Sequence, residues 1–171
     1  MNKIVIDNLC NKLLGILAEE IGHFESLLNL LKKEERAIIE SNILEVNRAR
    51  EQKNDLFEKA NMCGSRSDDL LYEMSEIFHF SQEKLTVFKL CKLVGQAHGL
   101  ELYESRSKLL ELGKVIKEQN QKNMALLKHS LFIIRESLNK LNSLAAPGLV
   151  YHKSGNIYKG RQSGVVFSNE A

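Results

Sequence analysis

The chain of 171 residues contains one proline, Pro147. Proline inside a helix removes a backbone hydrogen bond and clashes with the preceding turn. The proline-free stretch before it therefore permits long helices. Leu and Glu, both good helix formers, are abundant, and only 6% of residues are aromatic. A β-sandwich or barrel would need many short strands punctuated by Gly and Pro, and that pattern is missing. The length suits one domain.

Apolar spacing predicts where the helices run. Ile6, Leu9, Leu13, Leu17, Ile21, Phe24, Leu28, Leu31 and Ile38 recur every three or four residues, except where Glu34 and Glu35 intervene. This is an amphipathic helix over roughly 4–40. Asn42 followed by Glu45 reads as a capping box opening a second helix. That helix is expected from about Ile43 to Met62, with Val46, Ala49, Leu56, Phe57 and Ala60 inward and Gly64 as its C-terminal cap. A turn over 64–67 would then lead to a short third helix over 68–78. A further short helix is expected within 81–95, capped by Ser81 or Thr86, with Gly95 and Gly99 flanking a break. The packing of residues 81–99 stays open. The last helix, about 100–144, carries the stripe Leu109, Leu112, Ile116, Asn120, Asn123, Leu127, Leu131, Ile134, Leu138, Leu141 and Ala145. Its period is nearer 3.6 than 3.5 residues, which suits a bundle helix better than a supercoiled pair.

The expected fold is all-α. It is an elongated antiparallel helical bundle with long first and last helices and a flexible C-terminal tail. The helical domain covers 1–145. Residues 146–171, with Pro147, several Gly and Ser and few charges, form the tail.

Charge and cysteine usage narrow the function classes. The net charge is only +2, and basic residues are interleaved with acids, so no nucleic-acid surface is expected. Residues 1–64 hold nine basic and eleven acidic side chains, and 100–144 hold eight and five. That asymmetry would help antiparallel helices attract one another, weakly beside apolar burial. Three widely spaced cysteines, Cys10, Cys63 and Cys91, make no disulfide framework and fit a reducing cytoplasm. The N-terminus has no signal-peptide core, and charges interrupt every apolar stretch, so no membrane insertion is expected.

The sequence carries no phosphate loop, no H-E-x-x-H, no G-x-S-x-G and no dinucleotide fingerprint. His23, His79, His98, His129, His152 and the cysteines lack metal-ligand spacing. A zinc site would have to be assembled across helices. The expectation is a non-enzyme with no cofactor and no metal.

The last stripe has a polar break at Asn120 and Asn123, positions that the period assigns to the buried face. Buried amides cost stability but specify register. The pattern N-x-x-N-x-x-L-L-x-x-S-L, formed by Asn120, Asn123, Leu126, Leu127, Ser130 and Leu131, resembles the FlgN family of cytoplasmic flagellar export chaperones. The Glu34-Glu35 helix end, the polar restart at Asn42, Lys53 followed by Leu56, and the tail Tyr151-His152-Lys153-Ser154-Gly155 are similar to that family as well. The resemblance covers about residues 6–157. This chain departs from it at 95–99 and after Ile157, and the role of residues 158–171 stays open.

The resemblance implies a chaperone that binds hook-associated junction proteins, prevents their premature association and delivers them to the export gate and the ATPase complex. It places client binding on the outer part of the last helix, with Leu127, Leu131, Ile134, Leu138 and Leu141 as candidates. Tyr151 corresponds to a tail tyrosine implicated in gate contact. An amphipathic client segment would bind such a face by helix-in-groove packing. The same leucines could instead be ordinary bundle core, or be buried in a homodimer. The alternative function is therefore a self-associating structural or scaffolding bundle without a client.

Overall fold

The computed structural model describes residues 3–80, 85–145, 150–151 and 157–158. Four helices follow in order: α1 Lys3–Ile39, α2 Ile43–Ile77, α3 Val87–Leu93 and α4 Gln96–Ala145. The first, second and last span 37, 35 and 50 residues. Two short strands, β1 Val150–Tyr151 and β2 Ile157–Tyr158, pair antiparallel with Tyr151 opposite Ile157. The tail expected over 146–171 otherwise lies outside the described residues, as does Ser81.

Helix α1 ends in a hydrogen-bonded wrap without glycine. Ser41 takes φ 54°, and the Asn42 N–H donates to the Ala37 carbonyl at 2.8 Å. The Ser41 N–H reaches Ile38, which satisfies a second orphan carbonyl. Asn42 then caps α2, its side chain accepting from the Glu45 N–H at 3.2 Å. The chain reverses here, and two interhelical ion pairs show that α2 runs antiparallel to α1. Lys53 meets Glu34 and Arg66 meets Glu19.

The expected stop at Gly64 does not occur. Helix α2 passes through it to Ile77, so the turn over 64–67 and the separate helix over 68–78 are corrected to one element. A helical glycine costs only about 1 kcal/mol. Cys63, Ser67, Leu71 and Met74 are buried on successive turns around it. The helix stops instead at His79, φ 55°, where Phe80 N–H donates to the Ser75 carbonyl at 2.9 Å. Phe57, expected inward, is half exposed.

Thr86 caps α3 by accepting from the Lys89 N–H. The break falls at Val94–Gly95, so α4 starts four residues earlier than expected and contains Gly99. A Cβ on Gly99 would lie 2.5 Å from the Cys91 carbonyl oxygen, so α4 can pass α3 here only with a glycine. A Cβ on Gly64 would meet nothing within 4 Å. Gly99→Ala is expected to destabilise the fold by about 1–3 kcal/mol through overpacking. Gly64→Ala should stabilise it by about 0.5–1 kcal/mol. Urea unfolding of the two variants checks both signs.

The core at one end joins all four helices. Leu9, Cys10, Leu13 and Leu17 of α1 pack with Leu71 and Met74 of α2, Leu85 and Leu90 around α3, and Leu102 of α4. Helix α4 runs in the same direction as α1. His98 lies beside Asn11, Lys108 pairs with Glu25 at 2.7 Å, and Lys122 pairs with Glu35 at 2.7 Å. These pairs join helices that run parallel, not the antiparallel ones for which the charge asymmetry was expected to matter. The chain forms two compact units, 1–126 and 127–171, with the boundary inside α4.

Candidate functional site

Two features of α4 stand next to each other in sequence: a buried polar lock and an exposed apolar face. The lock is built on Glu34. The stripe of α1 steps from Leu31 to Glu34 to Ile38, so Glu34 occupies a core position, and it is 3% exposed. A buried carboxylate is tolerated only when its oxygens are satisfied. Lys53 of α2 donates to Oε1 at 2.6 Å, and the Asn123 amide of α4 donates to Oε2 at 2.8 Å.

Asn123 is 1% exposed. Its second amide hydrogen reaches the Leu31 carbonyl at 2.8 Å, and its oxygen accepts from Gln119 at 3.0 Å. Gln119 also donates to Glu35 at 2.6 Å. Hydrogen bonds from Lys122 and then Gln119 hold the Glu35 carboxyl below its ordinary range. Among the described residues no buried side-chain polar atom lacks a partner. Six side chains thus fix α1, α2 and α4 in one register, the use for which buried polar groups are best attested.

Asn120 is not part of this lock. It is exposed, and Gln119 takes the inward place that the average period assigned to Asn120. A mean spacing of 3.6 residues can be met by steps of three or four at each turn, and the tertiary contact chooses.

Leu126, Leu127 and Ser130 are half-buried. From Leu131 to Ser143 every residue is exposed. Leu131 is 60% exposed, Ile134 53%, Leu138 44% and Leu141 61%. With Met124 and Leu127 they occupy one helical face about 100° wide. Phe132 and Ile133 are also at least half exposed, but they lie on other sides of the helix. Helix α1 ends at Ile39, five residues beyond Glu34, and α4 ends at Ala145. Of Tyr151, the described part is its backbone, paired in β1.

The structure also brings Glu19, His23 and Cys63 together across α1 and α2. Sequence spacing could show the first two as neighbours on one helix face, but not the third. Burial pushes the thiols of Cys10, Cys63 and Cys91 up, so without a metal none is activated as a nucleophile. Among the described residues no helix is long and apolar enough to cross a membrane.

The model of the FlgN protein family matches residues 1–159. Comparisons with curated proteins and with solved structures give no match. The chain belongs to the FlgN family. It is a flagellar export chaperone for hook-associated proteins, and it acts by binding rather than by catalysis.

Proposed function

We propose that this FlgN-family chaperone holds its hook-associated client on the exposed face of α4 formed by Leu127, Leu131, Ile134, Leu138 and Leu141. One observation supports the reading most: thirteen consecutive residues, 131–143, are exposed although six of them are large and apolar. Monomeric surfaces seldom leave such a contiguous apolar patch without a partner. Spacing at i, i+3, i+4 and i+7 suits an amphipathic helix of the client. The polar lock at Asn123 keeps the helix in register beside this face, and Asn120, Leu126 and Ser130 continue the family motif around it.

The remaining roles rest on family likeness. The protein works in the cytoplasm, as chaperones of this family do. Residues 1–145 carry the client, and 146–171 address the export gate and the ATPase complex, with Tyr151 as the gate contact. Tyr151→Ala should reduce secretion of the client severalfold and leave chaperone–client affinity unchanged within about twofold. Secretion assays paired with calorimetry check this, and parallel loss of both would reject the division of labour.

The same exposed face supports a second reading, a homodimer that buries it. Light scattering with and without a hook-associated protein separates the two. A one-to-one complex supports client binding there. A concentration-independent dimer that ignores the client supports self-association.

A further inference from the structure

We propose that Glu19, His23 and Cys63 form a site for a transition-metal dication, best suited to Zn2+, that clamps α1 to α2. Glu19 and His23 lie one helical turn apart on α1, so their side chains share a face. Cys63 enters from α2 with 1% exposure. One ligand atom from each lies within 4.8 Å of the other two, and His23 Nε2 is 3.8 Å from Glu19 Oε1. Tetrahedral ligands at 2.0–2.3 Å from zinc sit roughly 3.3–3.8 Å apart. The set therefore needs to contract by about 1 Å, and Glu19 and His23 are both partly solvent-exposed and able to move.

The surroundings prepare the set. Arg66 donates to Glu19 Oε2 at 2.8 Å, leaving the other oxygen, Oε1, toward His23. That is the arrangement by which an outer partner orients a ligating carboxylate. The Cys63 thiol hydrogen-bonds to Glu19 and would release its proton on binding the ion. A mixed sulfur, nitrogen and oxygen set selects a borderline ion over Mg2+ or Ca2+. The Glu19 side of the set is exposed, which leaves a fourth position open to a water ligand. The site lies in α1 and α2, apart from the α4 face, and does not depend on the client reading.

The test titrates the full-length, metal-free protein with Co2+ and then Zn2+. The expected result is a thiolate-to-cobalt charge-transfer band that saturates at one equivalent and is bleached by Zn2+. Cys63→Ser should abolish the band, while Cys10→Ser and Cys91→Ser keep it. His23→Gln should weaken Co2+ binding about tenfold or more, and Zn2+ should raise the melting temperature of the parent protein but not of this variant. Absence of the band, or a band that survives Cys63→Ser, overturns the proposal. Should Cys63→Ser fail to fold, His23→Gln decides: unchanged Co2+ affinity overturns it.

Discussion

Leu131→Asp combined with Leu138→Asp is expected to abolish capture of a hook-associated protein without unfolding the chaperone. Both positions are exposed, at 60% and 44%, so neither substitution opens a cavity. Exposed substitutions usually change stability by under about 0.5 kcal/mol. In the complex the same side chains would be desolvated. Each aspartate would then remove an apolar anchor and bury an unpaired charge. Loss of an interface anchor costs about 2–4 kcal/mol, or roughly 30- to 1000-fold in affinity per site. Calorimetry gives the affinity, and circular dichroism confirms that the variant remains helical. A folded double variant that binds its client normally would move the site elsewhere.

Lys53→Met is expected to destabilise the bundle by about 3–5 kcal/mol. The substitution roughly keeps the length of the buried stem but leaves Glu34, 3% exposed, without its cation. Breaking a buried pair from one side costs far more than removing the pair, because a charge remains in a poorly solvated place. Glu34→Met together with Lys53→Met should therefore be much closer to the parent than Lys53→Met alone. The exposed ion pair of Lys59 with Asp55 offers a control. Lys59→Met should cost less than about 1 kcal/mol, since water replaces the lost partner. Urea midpoints of the four proteins give the comparison. A single Lys53→Met variant as stable as the parent would show that Glu34 reaches solvent or another donor readily.

The lock was legible in the sequence only in halves. Glu34 interrupts the stripe of α1, and Asn123 interrupts the stripe of α4, both at core positions. Two polar residues at core positions invite pairing, yet only the fold brings residues 89 apart in sequence together. Lys53 was marked only by its likeness to the family's second helix, and nothing in the sequence tied it to Glu34. Asn120 was assigned inward because a mean period cannot choose between adjacent positions at a step.

Helix ends show a similar limit. The cap at Asn42 and the cap at Thr86 follow from side chains that accept a free amide, and both were readable. The stops at Ser41 and His79 use positive φ in residues other than glycine, so composition did not mark them. Gly64 resembled a stop but sits in a helix held by its buried neighbours, where local propensity is overridden by packing. Periodicity identified the leucines of α4 as one stripe. Periodicity does not tell whether a stripe is covered, and the exposure of 131–143 is read from the structure.

Hydrogen exchange of the full chain with and without a hook-associated protein tests the client site most directly. Every backbone amide of α4 reports separately on its own protection, and the exposed half has little tertiary cover in the free protein. Client binding is predicted to slow exchange across residues 125–144 and to leave α1 and α2 before the lock nearly unchanged. Protection confined to α1–α3, with 125–144 exchanging as fast as in the free chaperone, would contradict the account.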